Sequence, residues 1–241
     1  MLSAFARSFL IQGSWNYHTM LGSGFAFAML PLLRRLHGTD PEAMDAALRR
    51  HLEHFNAHPY LSDVALGAAI RLEVDGEDPD TIRRFKIAVR SPLGSLGDAL
   101  VWASWLPAVS LAALGMLWLG APGGVAVAAF LLSYNAGHLG LRAWGFRAGL
   151  REGRAVGGTI KGAHLDRITE RVRGTAAVLL GAVAGAILMA DDGLATAGWT
   201  WGLAGAAAFG VGARMGQRAW RPAAVAVVAT VAVLAIWGIT R

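Results

Sequence analysis

Two uncharged stretches that lie almost side by side in the sequence constrain the fold of this chain more than any other feature. Residues 99–119 and 123–141 contain no Asp, Glu, Lys or Arg, and a Gly-Ala-Pro tripeptide separates them. Each stretch is close to the ~20 apolar residues that a helix needs to cross about 30 Å of hydrocarbon. Because Gly and Pro interrupt helices and favour turns, we predict a two-helix membrane hairpin over residues 99–141.

The remainder of the C-terminal half repeats this pattern. Residues 174–190, 194–213 and 222–240 are also uncharged, and they predict three further spans within 174–241. Residues 142–173 hold eight Lys or Arg and three acidic residues. Since basic loops of membrane proteins face the cytoplasm, we predict a basic cytoplasmic loop there. Nucleic-acid binding is disfavoured, because no aromatic stacking platform or groove-reading motif accompanies the charge.

The composition agrees with a membrane protein. Hydrophobic residues make up 55% of the 241 residues and charged residues 16%, against ~45–50% and ~25% in soluble domains. The chain has no Cys, which excludes disulfides, thiolate metal sites, iron–sulfur clusters and a Cys nucleophile. We therefore predict an all-α, polytopic integral membrane protein.

Residues 1–98 form a segment of different character, in which apolar pieces are short and charges are frequent. Glu42–Phe55 has apolar residues at helical spacing, and it follows Asp40, a typical N-cap residue, and a proline. Asp78 and the proline after it repeat this start signal. The segment is thus predicted to contain amphipathic helices.

Two apolar pieces of this segment are too short to cross a membrane alone. They are Phe25–Leu33 and Val64–Ile70. One interpretation is a pair of buried or interfacial helices. The other is a pair of re-entrant half-helices that line a polar site, which irregular backbone does only where protein or water covers it. The periodicity does not separate the two.

The first polar string runs from Gln12 to Met20 and reads Gln-Gly-Ser-Trp-Asn-Tyr-His-Thr-Met. Its amides and aromatic rings suit a sugar, because amides bind hydroxyl groups while a ring stacks on the C–H face. Gln12, Trp15 and Asn16 are therefore candidate site residues. The alternative is an aromatic belt at the membrane interface.

The second polar string runs from His51 to Tyr60. A proline at position 59 predicts that the helix ends there, with Asn56 and His58 in its last turn. Helical spacing would place the three histidines, at positions 51, 54 and 58, on one face, where they could form a metal cluster. The spacing matches no strong metal motif, and a solvated helix end is the preferred interpretation, so no metal is predicted.

The third string, Ser91–Asp98, is predicted to be a Gly-rich loop that opens a membrane helix. It lacks the Gly-Lys-Ser/Thr sequence of a P-loop, which disfavours nucleotide binding. Asp98 lies at the edge of an uncharged span, where a charge is costly and suggests a role. It is either part of a ligand site at a helix N-terminus or a simple cap.

Together these strings resemble the IID component of the mannose/fructose/sorbose family of the bacterial phosphotransferase system. Order and spacing match over roughly residues 5–190. The residues that carry the resemblance are Arg7–Phe9, Gln12–Tyr17, Gly24–Ala28, His51–Leu61, Ser91–Leu100, Asn135, Leu141, Arg142 and Gly145.

The resemblance implies a subunit that pairs with a IIC membrane subunit in the bacterial inner membrane to import a hexose of the mannose, fructose or sorbose type. Cytoplasmic IIA and IIB components would carry the phosphoryl group, so this chain is expected to be neither an enzyme by itself nor the holder of a cofactor. It also implies a trimer of IIC–IID pairs. The alternative is an orphan or regulatory subunit that binds a partner without transporting.

Under the resemblance, six residues are predicted to line the sugar path or the IIC interface: Gln12, Trp15, Asn16, Asn56, His58 and Asp98. The chain departs from the family pattern at one point. His18 and Thr19 stand where the family usually has Glu-Arg. The loss of both charges bears on sugar specificity if that position contacts the sugar.

Overall fold

The computed structural model describes residues 1–189. This part of the chain contains nine α-helices and no β-strand. A π-helical segment, Asp98–Trp105, joins α5 to α6, and a 3-10 turn, Gly153–Ala155, joins α7 to α8. The helices are α1 Leu2–Ser8, α2 Gly22–His37, α3 Pro41–Leu52, α4 Ser62–Val74, α5 Pro79–Gly97, α6 Leu106–Trp118, α7 Gly123–Glu152, α8 Val156–Gly162 and α9 Leu165–Met189.

The prediction of two long apolar helices is confirmed. One helical stretch, Pro79–Trp118, and a second, Gly123–Gly162, are each long and apolar enough to cross a membrane. The turn between them passes through Gly120, whose φ of 86° lies in the left-handed region that glycine adopts without strain. The hairpin begins earlier and ends later in the chain than the uncharged stretches, because its helices continue into charged sequence.

Residues 142–173 are mostly helical instead of forming an irregular loop. α7 continues to Glu152, α8 follows, and α9 begins at Leu165. α9 runs parallel to α6, since its start lies near the π-helical segment while Val183 lies 3.9 Å from the Cβ position of Gly115. The predicted spans 194–213 and 222–240 lie outside the described residues.

The amphipathic helices begin where the capping signals predict. The Asp40 carboxylate accepts hydrogen bonds from the backbone N–H groups of Glu42 and Ala43, and Asp78 accepts one from Thr81. The predicted end of α3 was wrong. The helix stops at Leu52, so Asn56 and His58 lie in the connection to α4 and not in a last helical turn.

The two short apolar pieces are buried helices in this structure. Every residue from Leu61 to Ile70 is buried, which makes α4 the centre of the core. α2 buries one face, including Phe25, Met29 and Leu33. At 1.5 Å per residue the 13-residue α4 is about 20 Å long, which is shorter than a bilayer core.

The prediction of a Gly-rich loop over Ser91–Asp98 was wrong, because the helix continues through these residues. The π-helical segment follows α5 directly and ends two residues before Pro107. Proline has no N–H and its ring crowds the carbonyl of the preceding turn, which disfavours regular α-helix at that place. The hydroxyl of Ser104 donates to the carbonyl of Ala99, five residues earlier, at 2.7 Å and supports the wide turn.

Candidate functional site

The fold brings the three polar strings of the sequence together. The backbone N–H of Phe55 donates to the carbonyl of Thr19, and the carbonyl of Phe55 accepts from Leu21, at 3.1 and 2.9 Å. These two bonds hold the first string against the second through a short β-bridge between Met20 and Phe55.

The second and third strings meet through two glycines on one face of α5. A Cβ at Gly94 would contact the backbone of Ala57 at 3.7 Å, and a Cβ at Gly97 would collide with the ring of His58. Glycines three positions apart share a helical face, so they form a groove in which the 56–58 connection lies. This packing explains why a glycine-rich sequence is helical here.

Asn16 organises the first string. Its side-chain oxygen accepts from the backbone N–H groups of His18 and Thr19 at 3.0 and 2.9 Å. Its amide nitrogen donates to the Thr19 hydroxyl at 2.8 Å and to the carbonyl of Ser14 at 3.2 Å. All polar atoms of this side chain are therefore occupied within its own loop, as in an Asx turn.

His58 is a buried residue that fits between α5 and the aromatic rings of Trp102 and Tyr60. Its Nδ1 accepts from the backbone N–H of Tyr60 at 3.2 Å, which places the proton of a neutral ring on Nε2. Nε2 is buried and has no hydrogen-bond partner within residues 1–189. Burial, assisted by the nearby charge of Arg142, lowers the pKa of His58 to about 4, so the ring is neutral at physiological pH.

The other four predicted site residues, Gln12, Trp15, Asn56 and Asp98, are exposed. The Trp15 ring packs edge to face on Tyr17 at 4.8 Å between centroids, and Tyr17 is itself 82% exposed. The three strings therefore expose aromatic rings, two amides and a carboxylate, the last at the start of the uncharged sequence of the hairpin.

The three histidines of the second string do not converge. His51 faces Glu73, His54 lies beside Arg90 with 3.2 Å between ring nitrogen and guanidinium, and His58 faces Gly97. No group of three or more His, Cys, Asp or Glu side chains placed to hold a metal ion occurs within residues 1–189. The expected shared face fails because α3 ends before His54.

A buried ion cluster around Glu73 was missed by the sequence analysis. One carboxylate oxygen of Glu73 accepts from Arg50 at 2.7 and 3.1 Å and from His51 at 2.8 Å. The Lys86 ammonium donates to the carbonyl of Arg50 at 2.7 Å and lies over the ring of Phe25. The cluster joins the ends of α3 and α4 to α5.

The pKa values in this cluster follow from burial and pairing. Burial alone would raise the pKa of Glu73, but hydrogen bonds from His51 and Arg50 lower it to about 2. Burial lowers the pKa of His51 to about 4 and outweighs the opposite effect of Glu73. Neutral His51 then donates from Nε2, and its Nδ1 has no partner among the described residues.

A second buried ion pair, also missed, connects α4 to α7. Arg142 donates to Asp63 at 2.8 Å and to the carbonyl of Ser8 at 3.0 Å. Its Nε faces His138 at 3.0 Å, and His138 stacks on Tyr60 at 3.9 Å. A signal was present in the sequence: an acid inside the apolar α4 and an Arg directly after an uncharged span are each costly without a partner.

Glycines allow α4 and α7 to pack backbone to backbone around this pair. A Cβ at Gly149 would collide with the carbonyl of Val64, and one at Gly67 would collide with the carbonyl of Phe146. Gly145, four residues before Gly149, lies against Val64. The spacing is the small-xxx-small pattern of tightly packed membrane helices.

Comparison with known proteins identifies relatives of one kind. A family model described as the PTS system mannose/fructose/sorbose family IID component matches residues 1–196. The mannose-specific EIID component of Escherichia coli K12 is 33% identical over 171 residues, which are 69% of this chain and 60% of that protein. The sorbose-specific EIID component of Klebsiella pneumoniae is 30% identical over 175 residues, which are 70% of this chain and 63% of that protein. The matched part thus spans less than two thirds of these relatives.

Two solved structures have a similar fold. One, entitled "Structure of membrane protein", is 32% identical with a TM-score of 0.66 and covers 75% of this chain and 67% of its own. The other is a cryo-EM structure of the mannose transporter ManYZ in complex with microcin E492. It is 24% identical with a TM-score of 0.60 over 99% of this chain and 95% of its own, which shows likeness of fold.

Proposed function

We propose that this chain, which belongs to the IID component family of the mannose/fructose/sorbose phosphotransferase systems, forms the sugar-translocating unit of a permease together with a IIC subunit. IID components are membrane proteins, and the apolar hairpin of this chain agrees with that location. The transported sugar is a hexose of the mannose, fructose or sorbose class. IIA and IIB carry the phosphoryl group, and this chain shapes the path without catalysing the transfer.

One observation carries the assignment of a site: the three polar strings meet where the uncharged sequence of the hairpin begins. The exposed groups Gln12, Trp15, Asn56 and Asp98 form the surface that faces the sugar path or the IIC subunit. Asn16 and His58 hold this surface in place, because the first closes its loop and the second fills the groove of α5. A polar surface beside membrane helices needs protein or water against it, and a IIC subunit supplies both.

The proposed placement is a multi-pass protein of the bacterial inner membrane that assembles as a trimer of IIC–IID pairs. The basic residues between Arg142 and Arg173 lie at one end of α7 and α9, and the positive-inside rule puts that end in the cytoplasm. Since the chain has no Cys, a single Cys at the exposed Arg154 tests this orientation cleanly. A membrane-impermeant thiol reagent should label it only from the cytoplasmic side, and labelling of intact cells would refute the orientation.

The site is tested by Asn56→Ala and Asp98→Ala in chains co-expressed with the cognate IIC subunit. Both side chains are exposed in this chain, and in the proposed complex they are buried against the sugar or the IIC subunit. Loss of a hydrogen-bond partner there costs about 1–3 kcal/mol, so hexose uptake per assembled complex should fall ~5- to 150-fold. Asp45→Ala is the matched control, because Asp45 is an exposed carboxylate that pairs only with Arg49 in the turn that follows it. Its uptake per complex should be unchanged.

The outcomes separate the possible roles. Normal uptake per assembled complex together with normal assembly in both variants would remove the site assignment and leave the strings a structural role. Loss of assembly with normal uptake in the remaining complex would assign them to the IIC interface. An unsubstituted chain that assembles with IIC but supports no uptake of labelled mannose, fructose or sorbose would favour the orphan or regulatory alternative.

A further inference from the structure

A cavity of about 440 Å³ lies outside the proposed sugar surface, between the two long helices and α9. Its wall is mainly apolar and aromatic, and one side is open to the surroundings of the helices. The side chains that define it are Tyr60, Trp105, His138, Trp144, Ile168 and Val172. Its volume falls in the range of 300–1,000 Å³ that is common for small-molecule sites.

The polar groups of the wall are few. The indole Nε1 of Trp105 is buried and has no hydrogen-bond acceptor within the described part of the chain. A hexose needs several partners for its hydroxyl groups, which this wall does not offer. An apolar chain with an oxygen acceptor near one end can pack against the wall and accept a hydrogen bond from the indole N–H.

Two basic residues of α9 flank the cavity. Leu165, Ile168 and Val172 line the cavity from α9. Arg171 and Arg173, on either side of Val172, are exposed and make no side-chain hydrogen bond or salt bridge within residues 1–189. On a helical wheel with about 100° per residue, Arg171 and Arg173 lie about 100° to either side of the centre of the face that lines the cavity. The acidic residue of this turn, Glu170, lies nearly opposite to that face.

We propose that this cavity binds one anionic phospholipid, with an acyl chain inside it and the phosphate at the rim that Arg171 and Arg173 flank. The cavity opens between helices that are apolar enough to cross a membrane, so acyl chains are the neighbouring solvent. Trp105 and Trp144 supply the interfacial rings that lie at the level of lipid headgroups. Basic pockets between membrane helices bind anionic headgroups by the same combination of charge and depth.

Gly140 offers a way to fill the cavity without disturbing the fold. It lines the cavity, and a Cβ at this position meets no atom within 4 Å. Gly124, on the same helix, has equally open space but lies away from the cavity. Gly140→Leu and Gly124→Leu are therefore a matched pair. Exclusion of even two methylenes from the cavity weakens lipid binding about 15-fold.

The experiment is native mass spectrometry of the full chain co-expressed with its IIC partner and exchanged into nanodiscs of phosphatidylglycerol or phosphatidylcholine. The same spectrum reports subunit composition and bound lipid, so failure of the proposed IIC partnership is read separately from failure of the lipid site. Phosphatidylglycerol should remain bound to the unsubstituted chain and to Gly124→Leu, and be lost from Gly140→Leu. Arg171→Gln with Arg173→Gln should remove the preference for phosphatidylglycerol over phosphatidylcholine.

Two results would overturn the proposal. One is equal retention of lipid by Gly140→Leu and Gly124→Leu, which would place the lipid elsewhere. The other is a preference for phosphatidylglycerol that survives the double Arg substitution, which would remove the headgroup assignment.

Discussion

The N-terminal region, residues 1–78, and the apolar region, residues 98–141, differ in whether they bury or expose their apolar side chains. In the first, all residues from Leu61 to Ile70 are buried and ion clusters lie in the interior. In the second, Ala126 is the one buried residue of the stretch 110–141, and large apolar side chains such as Leu132 are exposed. The first region is organised around its own core, whereas the second needs an apolar environment from lipid or a partner.

The comparison teaches that hydrophobicity alone does not say which helix faces lipid. α4 is as apolar in sequence as a piece of membrane span, yet it is covered by protein on every side. Its buried charged residues, Asp63 and Glu73, are paired with residues of α7 and α3.

Glu73→Ala should produce the largest loss of stability. It leaves Arg50 buried without its carboxylate partner, which costs about 3–5 kcal/mol in the free energy of unfolding. The measurement is thermal unfolding of the purified chain in mild detergent. Glu77→Ala removes an exposed carboxylate in the connection between α4 and α5, and it should change the free energy of unfolding by less than about 0.5 kcal/mol. Equal unfolding temperatures for the two variants would contradict a stabilising role for the cluster.

The same substitution made on an exposed leucine of each region should have different effects. Leu132→Arg places a charge in the middle of an apolar helix and should disfavour membrane insertion by about 2.5–3.5 kcal/mol. Leu36→Arg extends an existing group of basic residues at the end of α2 and should be nearly neutral. The amount of each variant in washed membranes measures the difference. Comparable amounts would show that α7 does not face lipid at this position.

Acidification should weaken the N-terminal region through His51. The pKa of His51 is about 4 in the folded chain, against an ordinary value of 6.5 in the unfolded chain. Between these two pH values the unfolded chain therefore binds more protons than the folded chain. Stability is therefore complete above pH 6.5 and falls as the pH is lowered toward 4, by roughly 2 kcal/mol at pH 5. His58, whose pKa burial also lowers to about 4, adds a loss of the same sign over the same pH range, and Glu73 adds to it only below pH 4.5. The unfolding temperature between pH 7.5 and 5 should fall less for His51→Gln, and an unchanged slope would exclude His51 as the cause.

The smallest predicted effect is at a helix cap. Asp40→Ala removes the acceptor for two backbone N–H groups of α3 and should cost about 1 kcal/mol. Asp45→Ala, in the same helix, removes only an exposed pair with Arg49 and should cost less than about 0.5 kcal/mol. Hydrogen exchange of the first turn of α3 distinguishes them, and equal protection in both variants would argue against capping.

Local signals predicted the parts of the fold that depend on local physics. Uncharged length predicted the hairpin, and capping residues predicted the starts of α3 and α5, because each of these needs only neighbours in sequence. The family resemblance, confirmed by the match over residues 1–196, came from the same short strings.

The errors lie where distant segments meet. The helix through Gly94 and Gly97 is favoured by packing against residues 56–58, which sequence periodicity does not report. The early end of α3 is fixed by the bridge between Phe55 and Met20, 35 residues away in the chain. Asp63 pairs with Arg142, 79 positions away in the chain. The sequence therefore showed that each charge needs a partner, but not which residue the partner is.

The π-helical segment Asp98–Trp105 also governs how this chain tolerates changes of length. Its i→i+5 turns hold more residues than α-turns, so the rotational phase of α6 is set at this segment and not by α5. A single-residue deletion within it can be absorbed when the wide turn tightens toward α-helix, leaving the faces of α6 where they are. The same deletion in α4 would rotate every later residue of that helix by about 100° and carry Glu73 away from Arg50. Length variation among related chains is therefore expected at the wide turn and excluded from the buried helix.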